Sequence, residues 1–175
     1  HKALGADISV ATIPVAQREA PEFGILKSSE GLITSFIEKP KKEVLEDWVS
    51  ETGEEMKAAG RNYLASMGIY IFNRKLMFDM LQTEFKDATD FGKEIIPQSI
   101  NKYKVASYQY TGYWTDIGNI YSFFEANLDL TKDIPDFNMF DNDRTIYTRP
   151  RMLPPAKISG TTLEKTLVAE GSIIN

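Results

Sequence analysis

The chain has 175 residues, no cysteine, and a single histidine, His1. The first absence rules out disulfides and thiolate metal sites and fits a reducing compartment. The second rules out a histidine-based metal centre or a Ser-His-Asp triad within the chain. No run approaches the roughly eighteen apolar residues that a membrane helix needs, so no transmembrane segment is expected. Positive charge is not in excess either. Twenty Lys and Arg against 25 Asp and Glu leave a net charge of -5, which repels polyphosphate and argues against nucleic acid as a partner. With 42% hydrophobic residues, the chain is long enough for one domain with a real core, or for one domain plus a piece of another.

The apolar pattern predicts alternating strands and helices. Asp7 to Val15 is a β-branched run suited to a strand buried on both faces. Glu22 to Pro40 predicts a hairpin with Ser28, Ser29, Glu30 and Gly31 in the turn, and Pro40 directs the chain outward at its end. Lys41 to Gly60 is the most charged stretch. It spaces Val44, Leu45, Trp48, Val49 and Met56 about one helical turn apart and predicts an exposed helical insertion. Asn62 to Asn73 resumes the buried-strand pattern, Arg74 to Phe85 is in helical register, and Asp90 to Tyr103 predicts a short helix broken or kinked at Pro97. Val105 to Ile117 reads as strand, and Asn119 to Asp133 as an amphipathic helix with Tyr121, Phe124 and Leu128 on one face.

This alternation argues for an α/β sheet layered by helices as far as Lys132. Residues 133–157 are proline-containing and extended, like a connector. In residues 158–175, Thr162, Val168 and Ile174 recur every six positions, as do Leu167 and Ile173, which is the period of a hexapeptide β-helix. His1 to Gly5 reads as the last turn of a helix ending on a left-handed glycine. Glu170 to Asn175 is a β-rich run with an open edge. Both ends therefore read as those of an interior fragment of a longer polypeptide, with no secretory signal visible.

Four short clusters place polar groups at strand ends or tight turns, where α/β sheets build their sites. They are FIEKP (Phe36 to Pro40), ASMGIYIF (Ala65 to Phe72), DFGKE (Asp90 to Glu94) and GYWTDIG (Gly112 to Gly118). Each also has a plain structural explanation. Glu38 and Lys39 can be a surface ion pair, Ser66 a small residue beside Gly68, Asp90 a helix N-cap, and Asp116 a cap for the helix starting near Asn119. Those explanations leave the joint occurrence of the clusters, in one order, unaccounted for.

That order, TIPV, FGI, FIEKP, SMGIYIF, DFGKEIIP, YWTDIG, SFFEANLDL and LPPAK, runs along nearly the whole chain. It resembles the sugar-1-phosphate nucleotidyltransferases, and most closely the ADP-glucose pyrophosphorylases, or glucose-1-phosphate adenylyltransferases. The resemblance implies the C-terminal half of a Rossmann-like α/β catalytic domain with a mixed sheet, followed by the beginning of a left-handed β-helix. It also implies a reaction in which ATP gives its adenylyl group to glucose 1-phosphate. Such a reaction needs a divalent cation, here Mg²⁺, a fixed cation for the sugar phosphate, and groups that read sugar hydroxyls.

By the same resemblance Asp116 is the metal-binding aspartate and Lys39 contacts the phosphate of glucose 1-phosphate; these are the two catalytic candidates. Glu38 accepts hydrogen bonds from sugar hydroxyls, while Ser66, Tyr70, Asp90, Phe91 and Trp114 line the sugar pocket. Trp114 and Asp116 are two residues apart and would face one way on a strand. The family's glycine-rich nucleotide loop, its companion lysine and its second metal aspartate have no counterpart in these 175 residues. Lacking donors to cradle the phosphates of ATP, the chain alone is expected to be inactive. The resemblance further implies a cytoplasmic homotetramer. Two alternatives stand beside this reading: a nucleotidyltransferase for another sugar 1-phosphate or nucleotide, and a non-catalytic sugar-phosphate-binding regulatory homologue.

Overall fold

The computed structural model describes residues 1–175. It comprises two compact units, His1–Thr111 and Gly112–Asn175. In the first, five strands form one mixed sheet: β1 (Ile8–Val15), β2 (Gly24–Ser29), β3 (Leu32–Glu38), β4 (Tyr63–Phe72) and β5 (Val105–Gln109). Their order is β1-β4-β2-β3-β5, and the sheet closes on itself. Only β1 and β5 run parallel, with Ile8 opposite Val105. The other pairings are antiparallel, and a single pair, Leu32 with Ala106, joins β3 to β5.

β1 lies between two neighbours and is buried along both faces, as its apolar run predicts. Its two buried polar side chains are satisfied: the Thr12 hydroxyl meets that of Ser107 at 3.1 Å, and the Ser9 hydroxyl meets Nδ1 of His1 at 2.9 Å. Ile8, Val10, Leu26, Ile33, Leu64 and Val105 from the strands pack with Met80, Phe85, Ile95 and Ile96 from the helical layer. Each such side chain contributes about 1.5–3 kcal/mol by leaving water. Met80 belongs to α2 (Arg74–Gln82) and Ile96 to α3 (Ile96–Ser99).

The predicted hairpin forms, but with a tighter turn. Ser28 and Ser29 belong to β2, and the turn proper is Glu30 and Gly31, at φ 51° and 78°. Two consecutive left-handed residues match the right-handed twist of the flanking strands. At the other end of the sequence reading, His1 to Gly5 makes the expected turn. The Ala6 and Gly5 amides donate to the carbonyls of His1 and Lys2, and Gly5 is left-handed at φ 57°.

The stretch from Lys41 to Gly60 departs from the expected exposed helix. It forms a 3₁₀ segment (Lys42–Trp48) and only five α-helical residues, α1 (Glu54–Ala58). Leu45 is wholly buried, the Ser50 hydroxyl donates to the Leu26 carbonyl at 2.9 Å, and that of Thr52 to the Arg61 carbonyl at 2.8 Å. Hydroxyls that bond distant backbone compete with the helix ladder, so the segment is stitched to the sheet. β4 departs as well. Its first residues are buried, yet Ile69 and Ile71 are each more than half exposed. β2 pairs with β4 only at Leu64 and Ala65, leaving the remainder of β4 without that neighbour.

In the second unit, α4 (Ile120–Asp129) is the one sustained helix. The strand expected to reach Ile117 ends at Gln109, before this unit begins. Tyr121, Phe124 and Leu128 all stand exposed, so the apolar face read from the sequence is not covered. Two short parallel strands, β6 (Lys157–Ile158) and β7 (Ile173–Ile174), pair sixteen residues apart. No helix is long and apolar enough to cross a membrane.

Candidate functional site

Six of the eight residues singled out in the sequence fall in the first unit: Glu38 and Lys39 at the end of β3, Ser66 and Tyr70 in β4, and Asp90 and Phe91 at the turn before α3. Glu38 is the last residue of β3 and sits opposite Gly24 in register. Lys39 follows in the left-handed region at φ 47°, and its amide donates to the Phe23 carbonyl at 3.0 Å. The next residue, Pro40, is buried. A residue before proline favours extended backbone, and a non-glycine residue rarely adopts positive φ. Lys39 is thus held in strain by its surroundings.

Asp90 approaches the same carboxylate from another element. It caps a widened π-helical turn, Phe91–Ile95, by accepting from the Lys93 amide at 2.9 Å, which is the N-cap read from the sequence. Glu94 completes the cap: its Oε1 accepts from the Asp90 amide at 3.0 Å, the Thr89 amide at 2.9 Å and the Thr89 hydroxyl at 3.1 Å. These bonds hold the Glu94 carboxyl below its ordinary range, the Thr89 amide foremost. π turns of this kind concentrate at functional sites.

Aromatic rings form the adjoining wall. Tyr70 stacks on Phe91 with centroids 5.8 Å apart and planes 25° from parallel, and Phe72 closes on Phe91 at 5.7 Å. Ser66 lies beside the Tyr70 hydroxyl and accepts from the Gly68 amide at 3.3 Å. Burial raises the Tyr70 phenol above its usual range, which keeps it a neutral hydrogen-bonding group. Glu38 is raised too, first by burial and then by the charge of Asp90, against the smaller pull of Lys39 and Lys93. Burial and a second carboxylate, not pairing with Lys39, therefore dominate its electrostatics. Two carboxylates, two ammonium groups and two stacked rings in one place suit a polyhydroxylated anion: acceptors for hydroxyls, cations for phosphate, and an apolar face for a ring.

Lys93 and Glu94 were not among the residues singled out. The signal that could have found them is a capping acid, Asp90, followed closely by a Lys and a Glu; the Glu stands one residue beyond the usual capping-box position.

Trp114 and Asp116 belong to the second unit. The loop carrying them is not a strand, so alternation does not align them. Asp116 is exposed and accepts from the Gly118 amide at 3.2 Å, forming a local turn. The cap of α4 is Asn119, whose side chain accepts from the Ser122 amide at 2.8 Å. Asp116 does not fill that role. Nearby, Tyr113 stacks on Phe137 with centroids 6.0 Å apart, beside a cavity of about 340 Å³ bounded also by Ile117, Phe123 and Leu130. No group of three or more His, Asp or Glu side chains converges as a metal cage. A lone carboxylate nevertheless has the donor chemistry for Mg²⁺, which accepts one or two hard protein oxygens and keeps its waters.

The sequence order, the mixed sheet and this wall together define a class. The chain belongs to the nucleotidyl transferase family, which it matches over residues 1–133. Within that class it is 40% identical over 181 residues to a protein of Triticum aestivum, "Glucose-1-phosphate adenylyltransferase small subunit, chloroplastic/amyloplastic". The resemblance to the ADP-glucose pyrophosphorylases is upheld by that match. It covers 99% of this chain and 38% of the relative's length.

Proposed function

We propose that the protein to which this chain belongs transfers an adenylyl group from ATP to glucose 1-phosphate, and that residues 1–111 supply its sugar-phosphate wall. One observation carries the reading: Glu38, Asp90, Tyr70 and Phe91, drawn from three separate stretches of sequence, meet in one half-buried patch beside Lys39. The wheat relative, by its name a glucose-1-phosphate adenylyltransferase, supports the choice of sugar and nucleotide.

In this reading Lys39 binds the phosphate of the sugar as a point charge, and Glu38 and Asp90 accept hydrogen bonds from hydroxyls. Tyr70 and Phe91 present a rigid aromatic surface, with Ser66 beside the Tyr70 hydroxyl. So placed, an oxygen of the sugar phosphate forms a bond to the α-phosphorus of ATP while the bond to pyrophosphate breaks. Positioning and charge neutralisation supply most of the acceleration in phosphoryl and nucleotidyl transfer. Asp116 is the residue we assign to Mg²⁺, which when bound offsets charge on the transferring phosphate. Trp114 is assigned to the sugar.

The 175 residues alone, which include no glycine-rich phosphate loop, are proposed to bind the sugar phosphate without forming ADP-glucose. Residues 158–175 are proposed to begin a left-handed β-helix; the six-residue apolar period and the parallel pairing of β6 with β7 support this. The relative is named a small subunit, which supports assembly with further subunits.

The test is calorimetric titration of the chain with glucose 1-phosphate, with and without Mg²⁺, alongside Lys39→Ala and Asp116→Asn. Saturable binding that Lys39→Ala removes supports the assignment. No binding by a chain shown to be folded overturns it for residues 1–111.

A further inference from the structure

Most glycines with a special role here owe it to backbone. Gly5, Gly31, Gly53, Gly60, Gly68, Gly160 and Gly171 all have positive φ. Gly24 and Gly92 do not, so their φ leaves other residues admissible. What favours glycine at these two positions is space: at Gly24 the Phe36 ring and Glu38 Oε2 take it, and at Gly92 the same Oε2 stands nearest. A Cβ on Gly24 would lie 2.7 Å from Glu38 Oε2 and 2.4 Å from Cζ of Phe36. A Cβ on Gly92 would lie 3.0 Å from the same Oε2 and 3.4 Å from Asp90 Oδ1.

The two glycines come from unrelated elements. Gly24 opens β2 and faces Glu38 across the ladder, whereas Gly92 lies in the π turn that Asp90 and Glu94 cap. Together they leave a slot for the Glu38 carboxylate.

We propose that Gly24 and Gly92 are positioning residues that set where the Glu38 carboxylate stands, and through it which sugar hydroxyl is read. The proposal rests on Glu38 being a hydroxyl acceptor, as inferred above. Any side chain at either position moves Oε2, by a displacement comparable to the tolerance of a hydrogen bond. Phe36 gives little at Gly24 because its ring packs against the core. At Gly92 the neighbours are two side-chain ends, so Gly92→Ala is the milder variant and the one that tests the idea if Gly24→Ala fails to fold.

The experiment has two arms on the 175-residue chain. In the first, the Glu38 carboxyl is titrated by NMR in the wild type, Gly24→Ala and Gly92→Ala. Displacing the carboxylate toward water should lower its titration point toward that of an ordinary glutamate. An unchanged titration in both variants overturns the proposal, whether or not any ligand binds. In the second, glucose 1-phosphate and its monodeoxy analogues are titrated into the same proteins, with Glu38→Gln beside them. One deoxy analogue should bind the wild type about ten-fold more weakly than the parent sugar, as expected for one hydrogen bond to a charged group. In Gly92→Ala that penalty should largely vanish, and Glu38→Asp in the Gly92→Ala background should restore part of it by withdrawing the oxygen from the added methyl. Sensitivity to Glu38→Gln with a full deoxy penalty retained in Gly92→Ala overturns the role of the glycine. Indifference to Glu38→Gln overturns the hydroxyl-reading role of Glu38 itself, and the specificity clause with it.

Discussion

Glu38 and Asp116 are both acids beside aromatic residues in short family motifs, yet the structure treats them differently. Glu38 ends a strand in a closed sheet, where register places it opposite Gly24 and burial raises its carboxyl. Asp116 lies in an exposed loop and accepts from the Gly118 amide, two residues on. The first acid inherits its position from long-range pairing and the second from local chain alone. Motif similarity therefore proposes a residue's role, while the surrounding packing says how firmly its place is set.

The sharpest way to break that comparison is by core deletion. Leu26→Ala, at a fully buried site in β2, should cost about 2–5 kcal/mol in urea denaturation, whereas Leu128→Ala on exposed α4 should stay within about 0.5 kcal/mol. Equal losses would show that α4 is covered in solution. Next in size, Lys39→Ala should weaken glucose 1-phosphate binding about ten-fold or more, the scale of a hydrogen bond to a charged group. Asp116→Asn should leave that binding within about two-fold without Mg²⁺ and reduce the gain on adding it. Reversal of those two results would exchange the assigned roles.

Caps and stitches come third. Ser50→Ala removes a buried hydrogen bond to the Leu26 carbonyl and should cost about 1 kcal/mol. Asn119→Ala should cost α4 about 1 kcal/mol of helix stability, read by local hydrogen exchange. The smallest effect is on pH dependence. The folded chain keeps the Glu38 proton at pH values where the unfolded chain has released it, so folded protein binds more protons in that window. Its contribution to stability must fall as pH rises from the ordinary glutamate value through the raised one. Glu38→Gln should flatten this decline in denaturation midpoints measured between about pH 4 and pH 7. A decline that persists in the variant would assign it to another group.

Much of the first unit was legible because its signals are local or doubly determined. β1 announces itself by its β-branched run, the hairpin by a turn cluster that includes Glu30 and Gly31, and the Asp90 cap by an acid ahead of a short helical stretch. What misled were segments whose fate depends on neighbours. The exposed end of β4 follows from where β2 stops pairing, and Lys41 to Gly60 follows from hydroxyls that find backbone acceptors more than twenty residues away in one case and nine in the other. The site residues were recognised from motif order, but the slot around Glu38 was not. Gly24 and Gly92 acquire their meaning only once register and turn bring both to the same oxygen.

Lys39 carries a consequence of another sort. Its left-handed backbone before a proline stores about 1 kcal/mol or more of strain, which glycine would release, less the freedom that glycine adds to the unfolded chain. Lys39→Gly can therefore be neutral or favourable for folding while it deletes the ammonium group assigned to substrate. A library sorted only for thermal resistance would tend to keep that variant and discard activity, so any effort to toughen this protein needs a functional screen running beside the heat step.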